Sequence, residues 1–114
     1  MKVQQIKQSV TFEGLEDRGT VDSLGAAPIR IAGLRKTIEG SESANTGIFE
    51  CTAGSYLRKV KEAEVMHILS GRGRFTPDNE GTVHFEPGDT LFFASNTQGL
   101  WEVDETMRKV YVIL

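Results

Sequence analysis

From Gly47 to Leu114 the chain is cut into short apolar or β-branched runs separated by clusters of turn residues, and this punctuation restricts it to an all-β fold. The runs are Ile48 to Thr52, Glu64 to Leu69, Arg74 to Thr76, Thr82 to Phe85, Thr90 to Ala94, Leu100 to Val103 and Lys109 to Leu114. Between them lie Ala53-Gly54-Ser55, Ser70-Gly71-Arg72-Gly73, Pro77 to Gly81, Glu86-Pro87-Gly88-Asp89 and Ser95-Asn96-Thr97, each rich in residues that tolerate positive φ or preset a turn. Many short strands broken in this way predict a sandwich or jelly roll.

Residues 1–46 are less regular. Short edge strands are expected around Ile29-Arg30-Ile31, and Glu39 to Gly47 has the polar, small-residue composition of a loop. We therefore read 1–46 as an N-terminal extension that wraps a barrel formed by 47–114, or crosses to a partner subunit. At 114 residues there is material for one core and one domain.

A net charge of -3 argues against nucleic acid or an anionic membrane as a partner. The single cysteine, Cys51, cannot form an internal disulfide, which fits a reducing compartment. Met1 to Val10 has no apolar signal core, and the longest wholly apolar run, Leu91 to Ala94, falls far below the roughly 20 residues of a membrane helix. The expectation is a cytoplasmic protein.

Two motifs sharpen the fold. Glu64 is followed after six residues by Gly71, and a second run reads Glu86-Pro87-Gly88-Asp89-Thr90-Leu91-Phe92-Phe93-Ala94-Ser95-Asn96-Thr97-Gln98-Gly99. These resemble the cupin superfamily, whose motifs are G-x5-H-x-H-x3,4-E-x6-G and G-x5-P-x-G-x2-H-x3-N. The closing segment from Gly99 to Tyr111 is similar to the small ureidoglycine aminohydrolase-like and ethanolamine-utilisation-like cupins. The resemblance covers about residues 47–114 and implies a cupin-type double-stranded β-helix, or jelly roll, with an N-terminal extension.

The same resemblance shows what is missing. The segment Tyr56 to Lys61, where the family keeps H-x-H, holds no histidine, and Gly99 stands where the last ligand histidine belongs. Ala94, Asn96 and Val103 replace the motif's Pro, Gly and Asn. Gln98 adjoins the last ligand position, but a slip of one residue turns its side chain to the other face. No metal is expected, or only a weakly bound divalent cation such as Mn²⁺ or Zn²⁺ held by Glu64 with His67 or Gln98.

If Glu64 points inward as the resemblance implies, period-2 alternation carries Met66 and Ile68 in with it and turns Val65, His67 and Leu69 out. The outer face is then also apolar, which predicts a covering element and a homodimer. Inside, Glu64 is the candidate acid/base; the competing reading is a structural carboxylate bonded by Arg58, Lys59 or backbone N–H groups. Tyr56, Arg58, Glu64, Met66 and Trp101 form the expected ligand site, with Arg58 suited to a carboxylate or phosphate. Tyr111 is a core or cavity aromatic, and Cys51 a small buried hydrophobe. The basic pairs Arg72 and Arg74, Lys59 and Lys61, and Arg108 and Lys109 read as solvated strand faces.

Three functions are compatible with these residues. The first is a cavity lacking the family's histidine ligands that binds a small polar metabolite. The second is a metal-dependent or Glu64-based small-molecule enzyme resembling aminohydrolases or isomerases. The third is a non-catalytic dimeric accessory protein, whose interior would be filled by Phe92, Phe93, Trp101 and Tyr111.

Overall fold

A computed structural model describes residues 2–114 and resolves them into ten strands with no helix. In chain order these are β1 (Glu16–Val21), β2 (Ile29–Lys36), β3 (Asn45–Cys51), β4 (Gly54–Val60), β5 (Glu64–Ser70), β6 (Gly73–Pro77), β7 (Val83–Phe85), β8 (Thr90–Phe93), β9 (Thr97–Val103) and β10 (Met107–Ile113). No described helix is available to cross a membrane. The strands form a six-stranded sheet, β1-β2-β3-β10-β5-β8, and a four-stranded sheet, β4-β9-β6-β7, and every pairing is antiparallel.

The fold is the expected all-β jelly roll, but the barrel is not closed. No ladder joins the two sheets among the described residues, so β1 and β8 remain edges of one and β4 and β7 edges of the other. Side chains, rather than backbone pairing, span the interior: Arg58 of β4 meets Glu64 of β5, and Phe75 of β6 meets Phe93 of β8.

Strand β4 departs from the sequence reading. Gly54 and Ser55 look like turn residues, yet both pair with β9 opposite Val103 and Glu102. The register partner, not the local composition, makes them a strand. In the N-terminal extension β1 and β2 form a hairpin, and the eight-residue β2 runs fully along β3 as an interior strand of its sheet.

Alternation behaves as expected in β5, where Glu64, Met66 and Ile68 are buried and His67 is exposed. It fails as a guide in β10. Arg108 and Lys109, read as a solvated pair, are 9% and 3% exposed. The reason is position, since β10 is flanked by β3 and β5 and covered on both faces. Lys109 shares the inward face with Met107 and Tyr111, while Arg108 faces outward under the N-terminal segment. Its Nη1 donates to the carbonyls of Ser9 (2.9 Å) and Phe12 (2.7 Å), and its Nε donates to Glu50 (3.1 Å). Gln4 Nε2 adds a bond to the Thr37 carbonyl at 2.6 Å, so the segment before β1 contacts the chain's own sheet.

Candidate functional site

The space between the sheets divides into two halves. At one end Trp101 and Phe75 sit 4.9 Å apart, and Phe85 and Phe93 complete an aromatic core with centroids 5.1 to 5.8 Å apart. At the other end lies a cavity of about 500 Å³, walled by Val21, Ile31, Phe49, Tyr111 and Ile113 and polar at Tyr56, Arg58, Glu64 and Lys109. Its size and its few converging polar groups suit a small-molecule site.

The polar groups meet at Glu64. Its side chain is inward because Glu64 opens β5 in register with Phe93 on one side and Ile113 on the other. Arg58 Nη2 reaches Oε1 at 2.8 Å from the opposite sheet, and Lys109 Nζ reaches Oε2 at 3.2 Å from β10. The Lys109 ammonium also lies 3.6 Å from Met66 Sδ, 5.2 Å from the Phe49 ring centre and 5.6 Å from that of Trp101. One carboxylate thus serves two cations, and the cluster retains one positive charge. Asp22 stands at the rim, exposed to solvent and therefore screened.

Burial pushes the Lys109 amine down from 10.5 to about 8, with the Arg58 charge acting in the same direction and Glu64 opposing both. Burial likewise raises the Tyr56 hydroxyl, as does the neighbouring Cys51. The Cys51 thiol is raised by burial, against the pull of the Lys109 charge. Cys51, Tyr56, Arg58, Glu64 and Lys109 therefore form one electrostatic unit on β3, β4, β5 and β10.

Of the residues expected at the site, Tyr56, Arg58 and Glu64 converge on the cavity. Met66 is fully buried beneath Lys109. Trp101 is fully buried in the aromatic core rather than in the cavity wall, and its indole N–H has no hydrogen-bond partner. Phe92, placed with the interior aromatics, projects outward at 77% exposure.

Residues 38–111 match the EutQ-like cupin domain. The chain belongs to the EutQ-like cupin family. Its fold is similar to the EutQ protein of Clostridium difficile, with 17% identity, 83% of this chain and 75% of that one covered, and a TM-score of 0.68. A DUF861-family protein of Pseudomonas syringae pv. tomato gives 20% identity, 88% and 44% coverage and a TM-score of 0.75. Ectoine synthase from P. lautus gives 17% identity, 98% and 76% coverage and a TM-score of 0.70. At these identities the likeness concerns the fold alone, and no curated protein matches the sequence.

The cupin fold raises the question of a metal, and the donor set around Glu64 does not fit a divalent cation. Both carboxylate oxygens already face cations. His67 is on the exposed face of β5, where Nδ1 meets Thr90 Oγ1 at 2.8 Å, and Gln98 is exposed on β9. Neither approaches Glu64, and no three of His, Cys, Asp and Glu converge among the described residues. At Gly99, the last motif position, a Cβ would meet the Phe75 ring at 2.6 Å and the Thr76 carbonyl, so this EutQ-like cupin has no room for a side chain there. Asn96, in place of the motif glycine, keeps the turn by adopting a left-handed φ of 62°.

Sequence reasoning missed Lys109. The available signal was its parity with Met107 and Tyr111, which placed a lysine on an otherwise inward face.

Proposed function

We propose that this EutQ-like cupin binds a small carboxylate-bearing metabolite in the cavity between β1, β3, β4 and β10. The observation that carries this reading is the surplus cation: Arg58 and Lys109 share the single buried carboxylate of Glu64. An anion entering an apolar chamber would balance that charge where water screens poorly. Arg58, with a side chain 26% exposed, is the group placed to meet the ligand with its free guanidinium edge. Lys109 lies deeper, and Tyr56 offers a hydroxyl that burial keeps protonated.

Thermal-shift and calorimetric titration with a panel of small carboxylates, matched alcohols and matched amines tests the reading. Carboxylates are expected to stabilise and bind, alcohols and amines to do neither, and Arg58→Gln to weaken carboxylate binding at least tenfold. Equal response to all three classes would remove charge recognition from the account.

The exposed Leu57 and Phe92, 70% and 77% accessible, support the additional reading that the protein is a homodimer. Light scattering coupled to size exclusion measures this directly, and a monomer at micromolar concentration would contradict it.

A further inference from the structure

We propose that Lys109 is a nucleophile that forms an imine with a small oxo acid held in the cavity. This rests on the cavity being the ligand site and goes further by naming the ligand's reactive group, a ketone or aldehyde carbon beside a carboxylate.

Three observations carry the inference. Among the described residues Lys109 is the only primary amine lining this cavity, while the chain's other five lysines lie elsewhere. A proton acceptor, Glu64 Oε2, stands 3.2 Å from Nζ. Near-complete burial disfavours the charged amine and so supplies the neutral form that attacks carbonyls. Stability does not account for a lysine here. A methionine of similar length would fill the same space, and replacing buried ionic groups by apolar ones is often neutral or favourable. The groups that face the amine are Glu64 and Met66 from β5, Arg58 from β4, Cys51 and Phe49 from β3 and Trp101 from β9.

The chemistry needs no oxidant or reductant. Lys109 passes a proton to Glu64, and its nitrogen lone pair then attacks the carbonyl carbon, forming the C–N bond while the C=O π pair moves to oxygen. Glu64 returns the proton to that oxygen, giving a carbinolamine. A second proton passes from nitrogen through Glu64 to the hydroxyl, which leaves as water as the C=N bond forms. The product is an iminium bearing the charge the ammonium carried at the start. Arg58, at the mouth, holds the oxo acid's carboxylate throughout.

Reductive trapping tests this on the full chain. The protein is incubated with pyruvate and sodium borohydride, and the adduct is located by peptide mass mapping. A stable product, equal in mass to pyruvic acid less one oxygen, is expected on Lys109 at least tenfold above any surface lysine. Lys109→Met is expected to retain the wild-type circular dichroism spectrum and lose this adduct, and Glu64→Gln to slow trapping at least tenfold. Mapping in the wild-type chain decides the matter even if Lys109→Met misfolds. Label spread over surface lysines, or absent, overturns the inference. Lactate, which has the carboxylate but no carbonyl, separates the two claims. Lactate binding without a pyruvate adduct leaves the carboxylate site standing and removes the imine; neither binding nor adduct removes both.

Discussion

The two halves of the interior solve the same packing problem in opposite ways. Trp101, Phe75, Phe85 and Phe93 close one half with aromatic rings in contact, whereas the other half leaves about 500 Å³ open around Arg58, Glu64 and Lys109. Burying aromatic surface is the main source of stability in a domain this small, and buried charges are a poor one. The aromatic half therefore holds the fold, and ligand binding is the role proposed for the charged half.

That contrast breaks most visibly by substitution in the two halves. Trp101→Ala is expected to cost about 3 to 5 kcal/mol by denaturant unfolding, because a fully buried indole leaves a cavity between three rings. In the charged half Glu64→Gln is expected to cost about 3 kcal/mol, since it strips the shared counter-charge from Arg58 and Lys109.

Removing the cation instead sharpens the comparison. Lys109→Met leaves Glu64 paired with Arg58 at 2.8 Å, and its stability is expected to lie between no change and a gain of about 2 kcal/mol. A large loss in this variant would mean that the charged half is structural after all.

A smaller effect follows from pH. Lys109 titrates near 8 when folded and 10.5 when free, so between these values the unfolded chain holds more protons and stability rises with pH. The penalty for the charged amine is complete below pH 8 and is relieved above it. Cys51, raised from 9.0, and Tyr56, raised from 10.0, act with the opposite sign once the unfolded chain begins to lose those protons. The clean window is therefore pH 8 to 9, where a gain of about 1 kcal/mol is expected and Lys109→Met should show none.

Much of this architecture was readable from residues with strong local signals. Gly71 and Gly88 have φ of 84° and 97°, and turns of that kind announce themselves in composition. Glu64 was placed inside by its motif, and parity carried Met66 and Ile68 in with it. What stayed hidden depended on partners distant in sequence. Gly54-Ser55 became a strand through β9, Lys109 was buried through β3 and β5, and the division of the interior assigned Trp101 to the core and Tyr56 to the cavity. Alternation reports which side of a strand a residue faces, not which end of the interior it enters.

The account turns on a positively charged chamber completed by a carboxylate. The most direct test is an NMR titration of the Lys109 side-chain ¹³Cε signal, in the free protein and with saturating lactate. The account predicts a midpoint near 8 in the free protein that moves upward when the ligand's carboxylate supplies a second counter-charge. A midpoint at the ordinary 10.5, unmoved by lactate, would contradict it.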